Sequence, residues 1–410
     1  MAIASSTGQP STPTAPAGAD PQPRLRELDS LRGLASLAVV LHHFVLMWPA
    51  WPWPTHGPLW HRLHLTLLFY PLYAGHEAVM LFFVLSGLVL SFPYLLGRSQ
   101  PYPIFLARRI LRIYGPYLAA LILSIAGAAI WHGNHARGAW AAPFWSEPVR
   151  WTLVLQHIAF LGIYNWQQFN FVIWSLIIEM RISIIFPLLA YFILRLRTSI
   201  ALLLALALSL TTFLVVLFHP DADQTTGLLR TVHYTAFFIF GILLARHLKT
   251  ISTRFRSLPV AIRFGIAAVS FALYNFSVPF LWDFRRPWTM TATEWLVAAG
   301  AIGFIVVGLN APPVQRFLLS SIPRFLGRVS YSLYLIHVPV LLALTFSLRN
   351  TLSPWVQFPL YLAATLLLAW LFCLCVEEPF IRQGQRLGKK KPATLHEPSL
   401  NHQPRVALHS

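Results

Sequence analysis

Arg26-Glu27-Leu28-Asp29-Ser30-Leu31-Arg32-Gly33 runs directly into the apolar stretch Leu34 to Leu41, which ends on His42-His43-Phe44. A helix built on this stretch opens on charge and closes on imidazole. Charged and titratable groups within a membrane helix are costly and usually face a bundle interior, which makes them functional candidates by default. From Arg32 to His43 a helix makes about three turns, drifts by only roughly 20° and rises about 16 Å. One face therefore carries both groups, the arginine at a membrane surface and the imidazole deep in the span. That arrangement suits a site joining an anionic ligand to a buried base.

The whole chain reads as membrane protein. It is 56% hydrophobic and only 11% charged, with a mean hydropathy of +0.60, and its apolar runs are long enough to cross hydrocarbon, which excludes a soluble protein. The net charge of +18 raises the question of nucleic acid. Its basic residues, however, are spread through short loops between apolar runs rather than gathered on one domain, so membrane lipid is the expected partner and nucleic acid is not. Cys373 and Cys375 lie two apart in an apolar helix and point to different sides, which excludes a bridge between them. No zinc-ligand spacing occurs, and no metal is expected. Residues 1–23 are rich in Ser, Thr, Pro, Ala and Gly and have no basic segment leading into an apolar one, so a disordered tail is expected there rather than a signal peptide. A membrane domain over 24–382 and a basic, disordered tail over 383–410 complete the expected organisation.

Apolar runs predict spans near 31–48, 75–96, 112–132, 171–194, 198–218, 229–246, 262–282, 290–310, 329–348 and 355–377. A further run, Trp151 to Tyr164, is too short for a crossing and contains Gln156 and His157. With ten spans and the N-terminus inside, 23 of the 31 Lys and Arg residues fall on the inner side, seven on the outer side, and Arg181 within the membrane. An eleventh crossing would move every later basic cluster outward, against the positive-inside rule. The expected fold is thus an all-α, polytopic transmembrane helix bundle with about ten spans, one re-entrant or interfacial helix at 151–164, and both termini cytoplasmic. Under this topology fourteen of the fifteen tryptophans lie in the outer half or outer loops. They serve as interfacial anchors or, with the outer His56, His61, His64, His76, His132 and His135, as an aromatic vestibule for a carbohydrate hydroxyl or a lipid headgroup.

Four further stretches carry polar groups in apolar surroundings. In Gly75-His76-Glu77 through Phe82-Phe83-Val84-Leu85-Ser86-Gly87, the small pair Ser86-Gly87 allows close helix contact; Glu77 reads as solvated at the outer surface. The stretch Phe105 to Tyr114, taken as the loop between the second and third spans, holds Arg108, Arg109 and Arg112. Guanidinium forks pair bidentately with phosphate oxygens, so three beside Arg32 would bind a polyphosphate, with anionic lipid headgroups the plainer alternative. In Trp174-Ser175-Leu176-Ile177-Ile178-Glu179-Met180-Arg181, Glu179 reads as the one acidic residue deep in any span, at a depth comparable to His43, with Arg181 pointing to a different face. The last stretch, Gly327-Arg328-Val329-Ser330-Tyr331-Ser332-Leu333-Tyr334-Leu335-Ile336-His337, is followed by Glu377-Glu378-Pro379; its plain reading is a satisfied buried histidine and a solvated helix end.

Taken in order, Arg26-x-Leu28-Asp29-x-Leu31-Arg32-Gly33 with His43, Phe82-Phe83-Val84-Leu85-Ser86-Gly87, Arg108-Arg109-x-x-Arg112-Ile113, Trp174-Ser175-Leu176-x-x-Glu179, Ser330-Tyr331-Ser332-Leu333-Tyr334-x-x-His337 and Glu378-Pro379 resemble the successive signatures of the acyltransferase-3 family. Its members are integral-membrane enzymes that O-acylate bacterial surface sugars, antibiotics and related acceptors. The resemblance implies acyl-CoA, with acetyl-CoA expected, as a cytoplasmic co-substrate and no permanently bound cofactor. It also implies Arg32 and His43 as the essential pair, donor phosphates on Arg32, Arg108, Arg109 and Arg112, a carbohydrate or lipid-linked glycan acceptor, and a bacterial inner membrane. Met80 stands where members often carry an acidic residue, and nothing after residue 390 resembles the esterase-like domain that some members append.

The expected chemistry follows. His43 removes the acceptor hydroxyl's proton, Glu179 orienting its imidazole, or it carries the acyl group itself. His42, Asp29, Trp174, Ser175 and His337 are further candidates, although His42 points about 100° away from His43. The competing class is a carrier or flippase that moves its substrate along buried Arg, His and Glu; no internal inverted repeat supports it.

Overall fold

In the computed structural model of the protein, the described residues are 25–48, 69–132, 143–219, 227–283, 286, 288–348 and 351–387. Their regular elements are all helical. In chain order these are α1 Arg26–Met47, α2 Gly75–Leu95, α3 Tyr102–Trp131, α4 Trp151–Ala159, α5 Ile173–Ile193, α6 Thr198–Phe218 and α7 Leu228–Ser257. They are followed by α8 Val260–Leu281, α9 Trp288–Asn310, α10 Pro312–Leu318, α11 Ser321–Leu348 and α12 Pro354–Phe372, which runs on through a π-helical turn, Cys373–Glu377, into α13 Glu378–Arg386. A single 3₁₀ turn, Tyr70–Leu72, precedes α2.

Ten helices are long and apolar enough to cross a membrane, with Pro354–Arg386 counting as one rod. The protein is a multi-pass membrane bundle. Helix α4 has nine residues and is about 14 Å long, well short of the ~30 Å of hydrocarbon. It does not cross. Arg181 on α5 fastens the turn that follows α4, donating from Nε and Nη2 to the Leu161 carbonyl at 3.0 and 2.6 Å and from Nη2 to that of Gly162 at 2.9 Å.

Several helices start earlier or end later than the hydropathy alone predicts. Arg108, Arg109 and Arg112 lie inside α3 rather than in a loop, and residues 383–386 continue α13 rather than beginning a tail. The reason is general: a helix satisfies its own backbone hydrogen bonds in lipid and in water alike, so it need not stop where the hydrocarbon does. The remaining tail segments, 1–24 and 388–410, lie outside the described residues. So do eight of the vestibule residues: Trp51, Trp53, Trp60, Trp140, His56, His61, His64 and His135.

Helices α7 and α11 are the most enclosed, each 78% buried over its apolar window, against 22% for α8 and 28% for α6. The peripheral helices present exposed Leu203, Phe264 and Leu367, as lipid-facing surfaces do. At the centre, α1 lies directly on α11. A side chain on Gly33 would run into the backbone of Leu326 and Gly327, and a Cβ on Gly327 would stand 2.6 Å from the Asp29 carbonyl oxygen. A second close crossing pairs Gly87 of α2 with Phe238 of α7 and Gly241 of α7 with Val84 and Leu88, as the small residues at 86–87 predict. Replacing Gly327 by leucine is expected to pry α1 from α11 and to lower stability by at least the ~1–3 kcal/mol typical of overpacking. Thermal melting of the detergent-purified variant measures this, and an unchanged melting curve would contradict the crossing.

Candidate functional site

The crossing of α1 on α11 sets the register of the site. Ser36 donates to the Ser330 carbonyl at 2.9 Å, and two turns further along α1 His43 meets His337. Their Nδ1 and Nε2 atoms are 3.0 Å apart, with the rings stacked at 5.1 Å between centroids and 20° between planes. His337 is fully buried, and its other nitrogen, Nδ1, lies 3.1 Å from the Leu333 carbonyl. The edge of Phe171 closes on His43 with a centroid distance of 4.8 Å.

Phe171 is placed by a defect in α11. Pro339 has no N–H, so the Leu335 carbonyl four residues earlier lacks its usual intrahelical donor, and Asn170 supplies one at 3.1 Å. The Asn170 side chain also accepts from the Val172 amide at 3.4 Å, turning the chain into α5. Asn170 thus ties the start of α5 to the helix that carries His337.

Beneath the imidazole pair lies a constriction. The Tyr334 hydroxyl is 2.7 Å from Ser175 Oγ and donates to the Val172 carbonyl at 3.0 Å, while Phe82 meets the Tyr334 ring edge-on at 5.8 Å. These groups roof a cavity of about 870 Å³ whose walls include Ser36, Ser86, Glu179, Tyr331, Arg32 and Arg112. A second cavity of about 730 Å³ is lined by Arg26, Arg324, Arg328, Glu377 and again Arg32 and Arg112. Arg32 and Arg112 line both, together with Asp29 and Ser330. The cavities lie at the end of the bundle where α1 begins and α13 ends, since Leu25 or Arg26 and Gln385 line them. They therefore form a basic mouth, a neck with two arginines, and a chamber leading toward the imidazoles.

The three arginines of α3 have separate fates, because neighbouring helical positions are about 100° apart. Arg108 donates to the Gly384 and Leu387 carbonyls at 3.0 and 2.6 Å, fastening the end of α13. Arg109 turns inward and pairs with Glu179 at 2.7 Å, with Ser183 Oγ at 3.1 and 2.8 Å from its Nε and Nη2. Only Arg112 of the three lines both cavities beside Arg32. Arg108 and Arg109 also line the larger cavity with Arg32 and Arg112, but their guanidiniums are engaged by protein groups, which leaves Arg32 and Arg112 as the pair facing both cavities.

Glu179 requires a second correction. Its Oε1 accepts from Arg109 and, at 3.1 Å, from Ser86, so the carboxylate stabilises the chamber wall, and the residue against the His43 imidazole is His337. Arg181, as expected, does not share its face. Trp174 stands away from the imidazoles, in an aromatic cluster with Phe83 and Tyr234 at 6.4 and 5.9 Å. His42 turns toward α2, its Nδ1 2.9 Å from the Tyr73 carbonyl, with its ring 5.4 Å from that of His43. Asp29 stands at the neck, 3.8 Å from Arg32.

Three carboxylates occupy positions that no local sequence pattern predicts. Glu77 is buried rather than solvated, because the turn at Tyr70–Leu72 folds over the start of α2 and Tyr70 donates to it at 2.8 Å. Burial, with Glu77 alongside, pushes the Tyr70 phenol well above its ordinary range, so it stays a donor. Glu377 is likewise no solvated helix end: the π-helical turn drives it inward, where it accepts from the Ser332 amide at 3.2 Å and hydroxyl at 2.6 Å. Glu294 overturns the reading of Glu179 as the one deep acid. Fully buried on α9, it meets His76 at 2.9 Å, His233 at 2.7 Å, the Tyr234 hydroxyl at 2.8 Å and Arg230 at 3.8 Å. Ser209 of α6 extends this network through His233 at 2.8 Å and Trp295 at 2.6 Å.

A helical bundle with a basic mouth on one side and buried imidazoles above it matches what the family comparison finds. The chain matches Acyl_transf_3, an acyltransferase domain, over residues 25–374. It belongs to the acyltransferase-3 family and is a membrane O-acyltransferase by that membership. It is also similar to O-acetyltransferase PaAT-1 of Phomopsis amygdali, with 24% identity covering 77% of this chain and 71% of that protein. No solved structure matches the chain.

Proposed function

We propose that the protein moves an acyl group, with acetyl expected, from acyl-CoA to a hydroxyl of a carbohydrate or lipid-linked glycan, and that His43 either takes the hydroxyl proton or carries the acyl group. The observation that carries this reading is the cavity that runs from Arg32 and Arg112 to Tyr334, whose ring lies 6.0 Å from that of His337. Two guanidiniums at a narrowing suit donor phosphates, since charge-assisted, bidentate contacts are the strong ones for such groups. The rise of about 16 Å along α1 from Arg32 to His43 is then the distance over which the donor's slender arm delivers the thioester. The chamber walls of Phe82, Val79 and Leu176 keep water from that arm, which limits hydrolysis in competition with transfer.

In this reading the donor enters from the cytoplasm. The preponderance of Lys and Arg on the side of the termini supports that orientation, and the acceptor approaches the imidazoles from the opposite face. Glu179, neutralised by Arg109, keeps the chamber wall polar without adding net charge near the donor.

The test is transfer of labelled acyl groups from acyl-CoA by detergent-solubilised protein, where no gradient exists. Activity there excludes a purely transporting role, and inactivity toward every acyl-CoA overturns the proposal. The neck gives a more local prediction. Removing the Arg112 guanidinium forfeits a charged hydrogen bond worth about 1.5–3 kcal/mol, so Arg112→Ala is expected to raise the donor KM about tenfold or more. Arg108→Ala removes a guanidinium that lines the larger cavity but is already engaged by the Gly384 and Leu387 carbonyls, so it is expected to raise that KM less, by about threefold, a shift of under ~1 kcal/mol. Equal KM effects in the two variants would contradict the division of roles.

A further inference from the structure

His337 sits against the proposed reacting imidazole, but neither its burial nor its family position says what it does. The hydrogen-bond pattern does. A carbonyl oxygen can only accept, so the Leu333 carbonyl 3.1 Å from His337 Nδ1 fixes the proton of a neutral His337 on that nitrogen. Its Nε2 is then a lone-pair acceptor. The atom 3.0 Å away, His43 Nδ1, must be the donor of that contact. Each imidazole thus dictates the form of the next, and the lone pair of His43 is placed on Nε2.

We propose, on the footing of the acyl-transfer reading above, that His337 is the proton partner of His43: its Nε2 receives the His43 Nδ1 proton as His43 Nε2 reacts, and later returns it. In direct transfer, His43 Nε2 takes the hydroxyl proton while the acceptor oxygen bonds to the thioester carbon. The Nδ1 proton passes to His337, the C–S bond breaks with its electron pair on sulfur, and the thiolate is protonated as the pair resets. In the relay route, His43 Nε2 bonds to the carbonyl carbon and the thiolate leaves; passing the Nδ1 proton to His337 leaves a neutral acyl-imidazole. The acceptor oxygen then attacks the acyl carbon as its hydroxyl proton passes to the thiolate, the C–N bond breaks with its pair on Nε2, and the proton on His337 returns to Nδ1. Either way one hydroxyl proton is lost and one thiol is formed.

The reason for a second imidazole is its surroundings. His43 is half-buried, with Phe171 closing one side, so a new charge there costs more than in bulk water. Sharing the proton with a neighbour across 3.0 Å spreads that charge over two rings. A carboxylate would do this too, but Glu179 is engaged by Arg109 and Ser86.

Single-turnover thiol release from acetyl-CoA by the detergent-purified full chain, with a glycan extract supplied as acceptor so that either route can release thiol, tests the proposal in mixtures of H₂O and D₂O. In direct transfer two protons move and the rate depends on deuterium fraction along a curve; in the relay route the Nδ1 proton alone moves and the dependence is straight. No isotope effect overturns the proposal without any variant. H337Q adds a second reading, since a glutamine oxygen still accepts from His43 Nδ1 but cannot hold the proton. Its kcat is expected to fall about 10²–10⁴-fold, the range for a lost acid–base group, with the donor KM within threefold and any curvature in the deuterium dependence lost. Wild-type kcat in H337Q would overturn the proton role while leaving the acyl-transfer reading intact; absence of thiol release in the wild type would overturn that reading instead.

Discussion

Replacing His43 with alanine is expected to abolish acyl transfer while leaving a folded protein. In either proposed route the reacting nitrogen is His43 Nε2, so the loss equals or exceeds the 10²–10⁴-fold typical of a positioned acid–base group and approaches completeness if the imidazole carries the acyl group. The fold should survive because α1 is held elsewhere, by Val39, Val40 and Phe44 in the core and by the close approach of Gly33 to Gly327. What the variant loses structurally is one hydrogen bond to His337, worth roughly 1–3 kcal/mol when a buried partner is left unmade. Wild-type size-exclusion behaviour and a cooperative melt only modestly below the wild type, with thiol release at background, are the predicted result. Wild-type turnover in that variant would sink both routes.

The second large effect concerns stability rather than chemistry. Glu294 gathers donors from α2 and α7, and its network reaches α6 and the neighbouring residue of α9. With the carboxylate removed, Arg230, 3.8 Å away and almost wholly enclosed, and the two imidazoles face one another without their common acceptor. Breaking a buried charge pair from one side costs about 3–5 kcal/mol. Glu294→Ala is therefore expected to melt well below the wild type, while Glu294→Gln, which keeps an acceptor oxygen, loses less. An alanine variant with unchanged melting would show that the network contributes nothing to holding these helices together.

These two residues also mark what the sequence could and could not reveal. His43 stands out locally, because an imidazole at the end of an apolar run, on the same helical face as Arg32, is legible from periodicity alone. The ten crossings are legible for a similar reason, and the short run at 151–164 was resolved by loop charge rather than by hydropathy. Glu294 was hidden by its place near the start of its span, where an acid normally reaches water; only the packing of α2 and α7 against it makes the position deep. The partner of His43 was hidden by distance along the chain, since 294 residues separate it from His337 and no local pattern encodes which buried histidine meets which. The arginines of α3 illustrate a third limit. Their charge was evident, but whether each guanidinium faces a cavity, a carboxylate or a neighbouring helix end depends on side-chain direction in the folded bundle. Asn170, which answers the missing N–H of Pro339 from another helix, is a compensation of the same non-local kind.

The central claim is that one face of the bundle takes the donor and delivers its acyl group to His43. Proteoliposomes of known orientation test it most directly, with acetyl-CoA confined to one side, a glycan extract supplied on the other as acceptor, and thiol release followed on the donor side. The account predicts release when acetyl-CoA meets the face bearing Arg32 and Arg112, and none from the opposite face or from His43→Ala protein. Release from the opposite face, or release that persists without His43, would contradict it.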